Sequence, residues 1–476
     1  MLNYFKLDFS FRRNDIPILT KDSLIFTPRM IKSFLNNQHT KQTLYLAWPL
    51  IITQVGHIVT GMVDTIFLGK IGPAEQAACI LSNNLYVLLL VFCIGVSYAT
   101  TPLVTDAHQN NDLIKKASLF KNSIVLNLTV ATLCFIILFL SSGVLKHMQQ
   151  PVEVAELAIP FFDVLIFSII PVSLFFVCKQ YCEGMANTRM ALIISVVGNL
   201  LNIILNYVLI YGKFGFPELG YLGSAWASFI ARAFMGISFL VFIFKSPLTK
   251  EINSVYKQVK INWVELKDLA RIGLNSGAQF TFEVAAFAIA GLMAGTFGKE
   301  QIDAHGIALS IAAFTYMFAS GISSAATIRI GVYKAQQNWL EIKNAGFTAL
   351  KLVFVVMGFF GLVFLLLSSV LPMGFSNEVR IIELASKLLV IAAMFQLFDG
   401  IQVTAIGALR GLEDVKFPTV VALVGYWLIA LPLAYFLAFT LKMETIGIWI
   451  ALLVALIFVA IALFWRFNFL VKKNLA

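Results

Sequence analysis

The chain has 476 residues, of which 59% are hydrophobic and only 13% charged, with 43 Phe among them. A soluble protein of this size carries roughly 25% charged residues, and here the apolar residues fall in blocks of about 20, long enough to cross a hydrocarbon core of about 30 Å as helices. These numbers exclude a soluble globular class and predict an all-α polytopic membrane protein. The formal net charge of +10 calls for no nucleic-acid partner, because the anionic inner leaflet accounts for it.

In chain order, residues 1–42 are polar and basic, with no apolar h-region and no small-residue cleavage site. They read as a cytoplasmic segment rather than a signal peptide, either lying on the inner leaflet or forming a free tail. Twelve apolar blocks follow, at 44–69, 83–104, 120–142, 158–178, 190–211, 222–244, 268–297, 303–326, 345–371, 384–408, 417–440 and 446–468. Blocks 1–6 make an N-lobe over 43–245 and blocks 7–12 a C-lobe over 268–468. A basic linker, 246–267, joins the lobes, and a cytoplasmic tail, 469–476, ends the chain. With the N-terminus inside, 26 Lys and Arg fall in inner segments and seven in outer loops. Cytoplasmic loops carry the Lys/Arg excess, so both termini are expected in the cytoplasm, with the protein integral to the plasma membrane, a bacterial inner membrane. The five Cys are scattered and show no zinc-ligand spacing.

The two halves resemble each other. "EGMANTRMALIISVVGNLLNIILNYVLIYG" (183–212) aligns with "RGLEDVKFPTVVALVGYWLIALPLAYFLAF" (410–439), matching Gly184 to Gly411 and Gly198 to Gly425. Gln54, Gly69 and Gly72 align with Gln279, Gly295 and Gly298, and "LGSAWA" (222–227) resembles "IGIWIA" (446–451). Six spans per copy bring both copies in from the same side. They are therefore parallel repeats, related by a pseudo-two-fold axis along the membrane normal, with a site expected between them as in transporters. A membrane enzyme would cluster His, Glu or Cys; no such cluster occurs, and no enzymatic activity or cofactor is expected.

Three acids lie well inside apolar blocks: Asp64 in "GMVDTIFLG", Glu283 in "QFTFEVAAFAIAGL" and Asp399 in "MFQLFDGIQVTAIG". A charge at mid-membrane costs about 2.5–3.5 kcal/mol on insertion scales. Such acids are expected to face an internal cavity, find partners or spend time protonated. A carboxylate that binds a proton, a metal ion or an organic cation by turns is the chemical core of an antiporter. Asn202 and Asn206 in "GNLLNIILN" share a helix face and offer hard oxygen ligands for Na⁺ or hydrogen bonds to a protonated Asp64. The candidate Na⁺ ligands are Asp64, Asn202, Asn206, Glu283 and Asp399. His57, two turns before Asp64, is open to proton traffic, or to packing or an interhelical hydrogen bond. Gln279 precedes Glu283 by one turn, and Gln396 and Gln402 flank Asp399. Phe280, Phe282, Phe287, Phe395 and Phe398 form an aromatic surround suited to a flat lipophilic cation. Pro49, Pro171 and Pro432 can kink their helices; Gly56, Gly61, Gly198, Gly291 and Gly425 permit bending or close packing.

The stretches "GMVDTIFLG", "EGMANTRMALIISVVGNLLNIILNYVLIYGKFGFPELGYLGSAWAS", "AHGIALSIAAFTYMFASGISSAATIRIGVYKA" and "GALRGLEDVKFPTVVALVGYWLIALPLAYFL" together resemble the multidrug and toxic compound extrusion (MATE) transporters. "TFEVAAFA" and "QLFDGIQV" resemble the NorM-like branch. The resemblance spans about residues 44–468. It implies two six-helix lobes facing a central cleft, and alternating-access efflux of cationic amphiphilic compounds against inward Na⁺ or H⁺. It implies further that Asp64 works with Asn202, Asn206 and Ser228, and that Glu283 and Asp399 add a C-lobe site. Some relatives carry Asp where Asn206 stands, which leaves this N-lobe site one charge short. The partners expected are small cationic amphiphiles and membrane lipid, and the working unit expected is a monomer.

Two rival readings carry distinct signatures. A lipid-linked oligosaccharide flippase of the wider superfamily would line its cleft with Lys and Arg, whereas only Arg232 is expected clearly within a span. A non-transporting receptor or scaffold would leave the three acids dispensable and carry a soluble sensory domain, for which no stretch is long enough.

Overall fold

The computed structural model describes residues 37–147, 151–246, 249 and 254–475. The basic segment 1–36 and parts of the linker expectation, 247–248 and 250–253, lie outside the described residues. Among these residues the chain is helical throughout, with no strand. Eleven helices are long and apolar enough to span a membrane, and a bent pair brings the number to twelve.

The helices are α1 Gln38–Gly69, α2 Pro73–Ser97 continued by Thr100–Gln109, α3 Leu113–Ser141, and α4 Val152–Ile166 continued by Ile169–Gly184. Then come α5 Arg189–Tyr211, α6 Leu222–Lys245, α7 Trp263–Gly295, α8 Lys299–Ala335, α9 Trp339–Leu366, α10 Val379–Gly411, α11 Lys416–Thr440 and α12 Glu444–Leu475. Polar caps set several starts: the side chains of Asn37, Asp112, Asn262 and Asn338 each accept a bond from a first-turn backbone N–H, satisfying donors the helix itself cannot.

Several helices outrun their apolar blocks. Block 303–326 sits within a 37-residue α8, because helical geometry continues past the hydrocarbon into polar ends. The block at 158–178 is not one straight span: α4 bends by 42° between Ile166 and Ile169, and Pro171 follows in the first turn after the break. A proline withholds a backbone donor and crowds the preceding turn. Pro49 lies inside α1 without interrupting it. In α11, Pro432 is flanked by π-helical stretches, Leu423–Ala430 and Phe436–Thr440; such wide turns recur at functional sites.

In the N-lobe α4 packs on α2, α3 and α6; in the C-lobe its counterpart α10 packs on α8, α9 and α12. The two most extensive crossings between the lobes are α1 on α8 and α2 on α7, with lesser packing of the Thr100–Gln109 part of α2 on α8, of α3 on α7 and of α1 on α9; the two main crossings exchange under the offset that relates the two halves. At the second crossing Gly95 meets Gly277 backbone to backbone: a Cβ on Gly95 would lie 2.5 Å from the Gly277 Cα. Only glycine on both helices allows this approach. Polar contacts between the halves include Gln54 to Ser320, Gln109 to Gln336, and Arg329 to His39, Gln42 and Thr43. They run from mid-helix toward the face bearing the N-terminal end of α1 and the C-terminal end of α12.

Helix α1 serves both lobes. Its first half packs Leu44, Ala47 and Ile51 among α8–α10 side chains, while its second half lies on α5, where Gly56 meets the Asn199 side chain. Tyr45, Trp48, Ile52, Val59, Met62 and Ile66 are exposed at helical spacing, forming an apolar stripe for lipid.

Candidate functional site

Asp64 lies one turn and a half from the far end of α1, where the second half of that helix rests on α5 and faces α6. Its Oδ1 accepts from Asn206 Nδ2 at 2.7 Å and its Oδ2 accepts from Ser228 Oγ at 3.1 Å. Asn206 Nδ2 also reaches Asn202 Oδ1 at 3.1 Å, and Asn202 Nδ2 reaches Ser228 Oγ at 3.3 Å. The four side chains close a ring. One turn of α5 places Asn202 and Asn206 on the same face, and α6 supplies Ser228. With two donors aimed at Asp64, the ring solvates a carboxylate that would otherwise be costly here. Among the described residues Asn206 Oδ1 is buried and accepts no bond.

Asp64, Asn202 and Ser228 of the ring line a cavity of about 570 Å³, together with Gln54, His57, Tyr98, Phe176, Asn199 and Arg232, while Asn206 lies outside its lining. Its lining is mixed, apolar walls with convergent polar groups, as small-molecule sites are. Arg232 stands one turn beyond Ser228. Its guanidinium donates to Tyr86 Oη at 3.0 Å and to Ser168 Oγ at 2.6 Å and makes no ion pair with Asp64. His57 packs against Phe175 and Phe176, each ring centre 6.0 Å away, and its Nε2 is buried without a partner. His57 thus packs on α4 with its ring also bordering the cavity.

The C-lobe acids sit apart from this cavity. Glu283, 8% exposed, accepts from Gln402 Nε2 at 3.1 Å and from Tyr426 Oη at 3.3 Å; Tyr426 in turn donates to Gln402 Oε1 at 2.9 Å. Asp399, 5% exposed, has no hydrogen-bond partner among the described residues and lies within electrostatic reach of Glu283. Gln396 takes a bond from Thr315 at 2.8 Å and Gln279 is buried with an unpartnered Nε2. The two acids do share one interior, but neither lines the 570 Å³ cavity.

Of the aromatic residues expected around the C-lobe acids, Phe287, Phe395 and Phe398 belong to the C-lobe core. Phe287 and Phe395 pack on each other, on Tyr426 and on Trp449, and Phe282 lies edge-on to Trp427. Phe residues at helical spacing fill a bundle interior before they line anything. Phe280 differs from these: it stacks on Tyr98 across the lobes with ring centres 5.4 Å apart. Arg410, from α10, lies over Tyr98 at 4.2 Å and over Phe280 at 5.6 Å.

Several buried ionisable groups were hidden in what read as span ends. Lys179 and Glu183 form a 2.8 Å pair at 2% and 1% exposure, Arg410 is buried against Tyr98 and Phe280, and Arg329 joins α8 to α1. Arg232 is therefore not alone as a basic residue within the bundle. An i,i+4 spacing of opposite charge beside "EGM" was the available signal for the first pair. Tyr426 had a weaker one, a phenol in an apolar block that must find a partner.

The MatE family model matches this chain twice, at residues 49–208 and 276–436. The chain belongs to the MatE family. The first matched stretch includes the Asp64, Asn202 and Asn206 positions, and the second includes Glu283, Asp399 and Tyr426. A protein described as probable multidrug resistance protein NorM from Pseudomonas putida is 31% identical over 441 residues, covering 91% of this chain and 95% of its own. Its counterpart from Agrobacterium fabrum is 29% identical, covering 92% and 95%. Among solved structures, the eukaryotic MATE transporter AtDTX14 superposes with a TM-score of 0.84 at 20% identity, over 93% of this chain and 98% of that one. The protein is an integral membrane protein of this fold.

Proposed function

We propose that the chain is a secondary active multidrug efflux transporter, an antiporter that moves cationic amphiphilic compounds out of the cell against inward Na⁺ or H⁺. The observation that carries this reading is the closed ring of Asp64, Asn206, Asn202 and Ser228, of which Asp64, Asn202 and Ser228 line a cavity large enough for a small molecule. Support comes also from relatives that bear the description multidrug resistance protein.

In this mechanism the inter-lobe contacts close the face bearing the termini, and the cavity exchanges with the opposite side. An arriving ion meets a carboxylate already held by two donors. If it is a proton, one Asp64 oxygen becomes a donor. The Ser228 hydroxyl then turns to accept, or the free Asn206 oxygen does, so the ring must rearrange. If it is Na⁺, Asp64 and the Asn206 carbonyl supply oxygen ligands. In both cases the negative charge that attracts a cationic cargo is cancelled, and cargo leaves. Each charge moving inward releases about 2.3 kcal/mol per 100 mV, which supplies the work. Because α1 carries Asp64 in the half that lies on the N-lobe and is anchored in the C-lobe by its other half, rearrangement at the ring acts on the helix that joins the lobes.

The test is ethidium efflux from proteoliposomes with Na⁺ and pH gradients imposed separately. Efflux driven by one gradient and abolished in Asp64→Asn, with the variant inserted normally, is the expected result. Unimpaired gradient-driven efflux in both Asp64→Asn and Glu283→Gln would refute the proposal.

A further inference from the structure

A second cavity, of about 470 Å³, opens on the face that bears the termini, where the first turns of α1 lie against α8 and the start of α5. Lys41, Tyr45, Ala186, Arg329 and Tyr333 line it. Arg189 borders it, its guanidinium 5.3 Å above the Tyr45 ring. Three cations thus converge on one groove between the lobes. Among the described residues, none of Lys41, Arg189 and Arg329 has a carboxylate within ion-pair distance; the nearby Glu341 is turned to His39 at 3.6 Å. Arg329 is 5% exposed and fixed by bonds to the His39 carbonyl, Thr43, Gln42 and Tyr333 at 2.7–3.3 Å. Its charge is therefore built into the groove while its neutralisation is left to something else.

We propose that this groove binds the phosphate headgroup of an anionic phospholipid. A cation cluster between membrane helices on the basic face has the charge and the place to take such a headgroup. The walls suit the rest of the molecule. From Tyr45 the exposed α1 stripe continues through Trp48 and Ile52, and α5 presents Ile193, Val197 and Leu200 beside it, giving two acyl chains an apolar track. The chain's own first 36 residues have the wrong sign to fill the groove, with six Lys and Arg against three Asp. The headgroup would bridge α1 and α5 to α8, at the end of α1 that is anchored in the C-lobe.

The test uses purified full-length protein in detergent, titrated with dioleoylphosphatidylglycerol, dioleoylphosphatidylcholine or glycerol phosphate, with thermal midpoint and lipid retention in native mass spectrometry as readouts. Lys41 and Arg189 are exposed side chains, so Lys41→Ala/Arg189→Ala is expected to fold. Phosphatidylglycerol should raise the midpoint and be retained, and its apparent affinity should fall about 10-fold or more in the double variant, since each Lys or Arg near a lipid phosphate contributes appreciably. Phosphatidylcholine should do neither. The charge-reversed variant Lys41→Glu/Arg189→Glu should lose retention altogether. Equal responses to the two lipids, or an undiminished response in both variants, would overturn the proposal. Stabilisation by glycerol phosphate as large as that by the lipid would show a free-phosphate site and overturn it likewise.

Discussion

At Asp64 the ring is arranged so that each oxygen has one donor of its own, from Asn206 and from Ser228. A hydrogen bond to a charged group contributes about 1.5–3 kcal/mol. Ser228→Ala should therefore weaken the bound-ion state or raise the cost of the free carboxylate enough to shift ion affinity on the order of 10- to 100-fold, read as the ion concentration giving half-maximal efflux. An unchanged half-saturation would mean the hydroxyl is a bystander. Glu183→Gln tests a different buried charge. It leaves Lys179 unpaired in the core and should lower stability by about 3–5 kcal/mol, seen as a fall in the thermal midpoint that Lys179→Met/Glu183→Gln largely restores. The Asp64 cluster was legible in sequence because a lone acid in oil and two amides one turn apart demand each other. Lys179 and Glu183 were not, since both stand close to Gly184, where the apolar block gives way to polar residues. That boundary says nothing of how deeply a helix end is wrapped by its neighbours.

Among the helices, α1 is the one whose two halves answer to different lobes, and Arg329 is what fastens its beginning to α8. Arg329→Ala removes five hydrogen-bonding contacts at once. The expected outcome is faster amide hydrogen exchange across residues 38–47, with the rest of α1 little changed, because opening free energy follows local contacts. Uniform exchange along α1 would place the anchor elsewhere. The number and order of the helices could be read from apolar blocks, which obey a length set by the bilayer. Their ends could not, as α2 and α8 run on through polar residues. The bend of α4 and the π-helical turns of α11 were equally hidden: Pro171 and Pro432 mark where a backbone bond is lost, but the packing of neighbouring helices decides how the loss is absorbed.

The whole molecule is two bundles in contact chiefly through α1 on α8 and α2 on α7, touching backbone to backbone at Gly95 and Gly277. The repeat in the sequence implied this symmetry, since an even number of spans per copy leaves the copies parallel. It did not reveal that the 570 Å³ cavity is lined mostly by N-lobe residues while Glu283 and Asp399 are buried outside that lining. If transport needs the lobes to rock, joining them at mid-height should stop it. Gln54 and Ser320, 3.1 Å apart across the lobes, are suitable sites. In a background lacking the five native Cys, Gln54→Cys/Ser320→Cys bridged by a short reducible thiol reagent should lose ethidium efflux and regain it on reduction. Full efflux while bridged would show that the lobes need not separate there. Antiport of the proposed kind requires ion and cargo to compete for Asp64, and equilibrium binding of ethidium to the purified protein measures that competition without any membrane gradient. The wild type should bind ethidium more weakly as the coupling ion, Na⁺ or H⁺, is raised, and Asp64→Asn should bind it weakly and indifferently to that ion. Ethidium affinity independent of both ions in the wild type, or the same ion dependence in Asp64→Asn, would contradict such competition.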